Sequence, residues 1–188
     1  MPVYRLHIIA VFISLLCLAT AMEGKVTAAR SDAGLIRLEK KIHALLNRER
    51  AKHGLAALSL DADLQGIARK HSQDMARRNY FSHDDPEGRS FSDRYRAAGF
   101  ECRVRTGGAL CTGAENISQF YSDAALLHEG GETVLDSSAE DAIAKSVVRG
   151  WMNSRNHREN ILAPYFRRQG IGVAISASGT VYVTEDFC

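Results

Sequence analysis

The strongest constraint in this 188-residue sequence is a change of apolar period along the chain. Towards the C-terminal end Ile171, Val173 and Ile175 alternate with other residues, Ser178-Gly179 supplies a turn, and Val181 and Val183 alternate again. Successive side chains of a strand point to opposite faces, so this pattern predicts a β-hairpin. Gly170 and Gly172 lie in its first strand, where a missing Cβ marks the close approach of another backbone. Earlier in the chain the period is three and four. Leu35, Leu38, Ile42, Leu45 and Leu46 form one stripe, with Asp32 as its cap and Gly54 as its stop, which predicts a helix over 33–53. Asp61 caps a second helix, on which Leu64, Ile67, Ala68, His71 and Met75 share a face up to about Arg78. A short helix is expected from Phe91 to Ala98, strand and turn over 100–120, and a third long helix around Ile143, Val147 and Trp151. His71 and Trp151 read as core residues. Helices around a mostly antiparallel sheet make one α+β domain from about 33 to 188.

Composition narrows the class. With 45% hydrophobic and 24% charged residues the chain is neither collagen-like nor wholly disordered. A net charge of +2 is too small for a nucleic-acid-coating protein or a polybasic membrane binder. The charge is uneven. Between Gln119 and Asp141 stand six acids and no Lys or Arg, which predicts a mobile, solvated insertion at about 119–141. At the other end, Ile8 to Ala21 is a run of fourteen largely apolar residues ending in Ala19-Thr20-Ala21. A membrane span needs about 20 apolar residues, whereas a short run closed by a small-x-small site reads as a signal peptide. Residues 1–21 are therefore expected to be removed, leaving a linker over 22–32 and a protein secreted to an extracellular or periplasmic space, with no transmembrane anchor.

Cleavage there also removes one of the four cysteines, Cys17. Cys102 and Cys111 flank Thr106-Gly107-Gly108, and a turn at that point makes their pairing the simplest disulfide, with Cys188 left over. Pairing of Cys188 with either of them stays open.

Three segments carry ionisable residues beside aromatic or apolar ones: Phe81-Ser82-His83, Gly113-Ala114-Glu115-Asn116-Ile117-Ser118, and the run from Trp151 to Leu162 that contains His157. Two imidazoles and a carboxylate meeting in one cleft suit either general acid/base work or a divalent metal. His83, Glu115 and His157 are separated by 32 and 42 positions, so no local spacing fixes them together. There is no G-x-S-x-G or H-E-x-x-H segment to supply a familiar hydrolytic centre.

The order of these segments, from LLNRERAKHGLAALSLDADL through ARKHSQDMA, FSH, GAENI and HRENIL to GIGVA and VYVTEDF, resembles the CAP superfamily (cysteine-rich secretory proteins, antigen 5 and pathogenesis-related-1) in its bacterial SCP-like form. The resemblance implies an α-β-α sandwich with a central, mostly antiparallel sheet, and a secreted protein with a cleft. It places His83, Glu115 and His157 in that cleft as the potential catalytic and metal-binding set. A Glu that follows the Trp in animal and plant members has no counterpart after Trp151, where Met152, Asn153 and Ser154 stand. Ser154 and Asn116 are expected to line the ligand site. Three potential ligands would suffice for an open site for Zn2+ or Mg2+. The expected role is binding of a lipid-like or cell-envelope component; the alternative is a metal-dependent hydrolase, such as a peptidase, in the same cleft.

Overall fold

The computed structural model describes residues 33–122, 127–129 and 132–188. The expected signal peptide and linker lie outside the described residues. The first helix, α1, runs over 33–52. It is followed by β1 (Ser59–Leu60), α2 (Ala62–Arg78), α3 (Phe91–Ala97), β2 (Val104–Thr106), β3 (Ala109–Cys111) and β4 (Ala114–Tyr121). The second part holds β5 (Leu127–Glu129), β6 (Glu132–Val134), α4 (Ser137–Asn153), α5 (Arg155–Ile161), β7 (Arg168–Ile175) and β8 (Thr180–Phe187).

The central sheet has the order β1-β7-β8-β4. Its two long pairings, β7 with β8 and β4 with β8, are antiparallel, and β1 joins β7 in parallel. Helices cover both faces, giving the α-β-α sandwich that the sequence implied. On one face α1, α4 and α5 bring Leu38, Ile42, Leu46, Ile143, Val147, Trp151 and Ile161 onto Ile171, Val173, Val181 and Val183. Trp151 is core, and its indole N–H donates to the Ile117 carbonyl at 3.0 Å.

The other face carries α2, which lies across β7 and β8. Asp61 starts this helix by accepting from the Asp63 and Leu64 amides, and Asn79 ends it in the left-handed conformation. The two glycines of β7 set how closely it packs. A Cβ on Gly170 would stand 2.1 Å from the Leu64 carbonyl carbon, and one on Gly172 would stand 2.1 Å from the Arg69 amide nitrogen. Only hydrogen fits there, so helix and strand meet backbone to backbone, and Ser72 donates to the Gly172 carbonyl at 2.9 Å.

Two expectations are corrected. Cys102 is bonded to Cys188, with their Cα atoms 5.6 Å apart, and Cys111 is the free thiol. The reason is register. In the β2–β3 hairpin Val104 opposes Cys111, so Cys102 lies two residues beyond its supposed partner. β8 instead carries Cys188 to the Arg167–Arg168 backbone, where its carbonyl accepts from both amides at 2.8 Å. The acidic stretch is not one solvated loop either. It contains the β5–β6 hairpin and the first turn of α4, capped by Asp136. Glu140 is fully buried there, held by Arg37 at 2.8 Å and Lys41 at 3.1 Å.

Candidate functional site

β4 is the element that sorts the polar residues. Its register sets Glu115 opposite Asp186 and Asn116 opposite Glu185 on β8. The pleat therefore points Glu115 and Asp186 towards α2 and α3, and Asn116 and Glu185 towards α4 and α5.

Glu115 is the centre of the first group. Its Oε1 accepts from His83 Nδ1 at 2.8 Å, and its Oε2 accepts from Arg94 Nη2. His71 stands behind, with Nε2 4.0 Å from the same Oε2 and 3.0 Å from the Ser82 carbonyl, to which it donates. The supports are local. Asp85 accepts from the Glu87 and Arg89 amides, which folds the loop carrying His83. Ser90 and Asp93 form a reciprocal capping box at the start of α3, which places Arg94 at the end of the first turn. From that helix Arg94 also donates through Nη1 to the carbonyls of His83 at 3.0 Å and Arg89 at 3.1 Å. One guanidinium thus fixes both the carboxylate and the loop.

His83 is half-exposed and His71 is buried, and their charges follow. The hydrogen bond to Glu115 raises the pKa of His83 above its usual value, against some loss from burial. Burial lowers that of His71, with Arg94 adding to the effect and Glu115 opposing it. His157, on α5, is half-buried; burial lowers its pKa and the nearby His83 lowers it further. Asp186 lies deeper. It is fully buried beside the Tyr95 hydroxyl, and burial, followed by the neighbouring Glu115, pushes its pKa well up.

The three residues singled out in the sequence are thus on one side of the molecule. His83 and Glu115 are in contact, and His157 is close enough to His83 for its charge to be felt. Asn116 is placed differently from expectation. It is fully buried, and it donates to the His157 carbonyl and to Glu185 at 3.2 Å each while accepting from Asn160 at 2.9 Å. It holds α5 onto the sheet from behind, with no face left for a ligand. Ser154 stands half-buried at the junction of α4 and α5 and makes no side-chain cap bond. His71 and Arg94 were not read as site residues. An imidazole on an apolar helix face looks like core, and nothing in the sequence separates Arg94 from Arg96, two positions on and exposed.

A divalent metal does not fit these residues as they stand. Among the described residues no group of three or more His, Cys, Asp or Glu side chains could hold a metal ion. Both oxygens of Glu115 are engaged, and Nδ1 and Oε1 at 2.8 Å share a proton. Two donors on a tetrahedral zinc, at bonds of about 2.0 Å, lie about 3.3 Å apart. A divalent ion about 4 Å from a guanidinium would also meet roughly 8 kcal/mol of repulsion at an effective dielectric of about 20.

The model of the cysteine-rich secretory protein family, CAP, matches residues 43–187. The chain belongs to the CAP family. This CAP chain is 34% identical over 152 residues to YkwD, an uncharacterized protein of Bacillus subtilis (strain 168), covering 81% of itself and 48% of that protein. It therefore spans about half the length of that relative. It is similar to an extracellular protein containing an SCP domain from Bacillus anthracis, with a TM-score of 0.54 at 28% identity over 80% of this chain and 39% of the other. An outer surface protein of Borrelia burgdorferi shares the fold alone, with a TM-score of 0.59 at 14% identity over 80% of this chain and 91% of that one. Among the described residues of the CAP chain no helix is long and apolar enough to cross a membrane.

Proposed function

We propose that this CAP domain is a secreted binding module whose cleft, at His83 and His157, holds a lipid-like or cell-envelope component. The observation that carries this is the state of Glu115. Its charge is already matched by Arg94 and by the His83 N–H, so the group is held rather than poised to attack or to strip a proton from water. Two half-exposed imidazoles then present an apolar ring with a polar edge, which suits recognition of an amphiphilic ligand. The similarity to an extracellular SCP-domain protein supports the location.

One feature favours a hydrolase as the second reading. With Nδ1–H donated to Glu115, the neutral His83 ring keeps Nε2 as its acceptor, the arrangement of a general base oriented by a carboxylate. The two readings part in one experiment. Purified protein is incubated with a total bacterial lipid extract and, separately, with soluble cell-wall fragments, and bound and free material are identified by mass spectrometry. The binding reading expects one of the two to be retained unchanged, at least about tenfold less by His83→Ala. New products that vanish with both His83→Ala and Glu115→Gln would establish hydrolysis. Retention of neither, with no products, removes both.

A further inference from the structure

We infer that Arg94 is the resident cation of this cleft: it occupies the place on Glu115 that a metal ion would need, and so makes the site metal-independent in this chain. The inference goes beyond the binding reading and stands whether or not a ligand is found. It rests on how Arg94 is built in. Its side chain is 12% exposed and that of Glu115 is fully buried, so the pair is formed inside the protein and not across its surface. Arg94 uses Nη2 on the carboxylate and Nη1 on the His83 and Arg89 carbonyls, so two elements hold it in one position. Its Nε is buried with no partner, which shows that the side chain is placed by what its far end reaches.

The geometry gives Arg94 two roles that a metal would otherwise fill. The first is charge: a carboxylate buried on the sheet needs a cation, and the guanidinium supplies it through a directed hydrogen bond. The second is position: a metal would draw the His83 loop to the sheet by coordination, and Arg94 does so through the His83 carbonyl. His83 is left to contact Glu115 through a proton on Nδ1. Arg94 is thus a positioning residue for both Glu115 and His83.

The test is titration calorimetry with Zn2+ alone, together with NMR of the histidine rings, on wild type, Arg94→Gln and Arg94→Lys. Wild type should show no saturable one-to-one uptake. Arg94→Gln frees an oxygen of Glu115 beside His83 and should bind Zn2+ at least tenfold more tightly than wild type, with the His83 ring signals moving on titration. That gain should disappear when His83→Ala is added. Arg94→Lys retains the charge and should still keep the metal out. The inference is overturned if wild type binds one Zn2+ in a manner lost with His83→Ala. It is equally overturned if Arg94→Gln is folded by circular dichroism and takes up no metal. Should Arg94→Gln fail to fold, the wild-type titration and Arg94→Lys decide the matter, since tight uptake by either one refutes it.

Discussion

Glu185 and Asp186 are neighbours on β8, as Asn116 and Glu115 are on β4, yet the pleat sends the members of each pair into two different environments. Under α4 and α5, Glu185 shares a buried hydrogen-bond network with Asn116, Asn160 and the His157 carbonyl, bonded through Oε2 while Oε1 is left unpaired among the described residues, with Arg50 buried nearby. Under α2 and α3, Glu115 is ion-paired and touches a half-exposed histidine, while Asp186 faces the Tyr95 hydroxyl with no cation on it among the described residues. One face uses its polar residues to attach a helix. The other sets a buried ion pair beside a half-exposed histidine and keeps a second carboxyl behind it. Adjacent positions in a buried strand can thus enter two different polar environments with no change in local sequence character.

The largest effect that could break this comparison is pH-dependent. Burial pushes the Glu185 carboxyl up from 4.5 to about 8. The folded carboxyl keeps its proton longer than the unfolded one, so its contribution is complete below about pH 4.5 and is lost as pH rises towards about 8. At 1.36 kcal/mol per pKa unit the loss approaches about 5 kcal/mol. Urea unfolding of Glu185→Gln should show a flatter pH profile than wild type and greater stability at pH 8. Asp186→Asn should act in the same direction, because burial and Glu115 raise that carboxyl too. An unchanged wild-type profile in either variant would mean that its carboxyl is ionised when folded.

Next in size is packing on the α2 face. Gly172→Ala places a methyl group against helix backbone, and an overpacked core of this kind costs about 3 kcal/mol. The same change at Gly150, where a Cβ meets nothing within 4 Å, should be neutral or mildly stabilising. Thermal melts of the two variants check the contrast, and equal melting temperatures would show that α2 can shift away from the sheet.

The smallest effect is a titration. NMR should place the pKa of His83 above 6.5 and those of His71 and His157 below it. Glu115→Gln removes the first-named cause and should bring His83 back down. For His83, whose folded value is raised, the charged form adds stability below about pH 6.5, and this fades as pH climbs through the folded value. A His83 that titrates unchanged in Glu115→Gln would mean that the pair does not form in solution.

Much of the fold was legible because its signals are local. Alternation gave the β7–β8 hairpin, Gly170 and Gly172 announced the close helix, and Asp61 marked the start of α2. His83 and Glu115 were found because a distinctive order of segments carried them. The misses are non-local. The Cys102–Cys188 bond depends on where β8 ends relative to the loop after α3, and no spacing reveals that. Alternation could not place Glu185 and Asp186, because a central strand covered on both faces buries every position after its first, Thr180, and its polar residues no longer mark the outside. Arg94 was hidden among 24 Lys and Arg residues whose exposure only the tertiary structure distinguishes.

The sheet order has a consequence for how this domain comes into being. β8 is the last element in chain order, yet it lies between β7 and β4 and makes both long antiparallel pairings. Until Thr180–Phe187 is available, β4 has no partner in the central sheet and Glu115 has no strand beside it. Contacts of such long sequence separation form late and slowly. A chain of this design cannot complete its site before Thr180–Phe187 has been made.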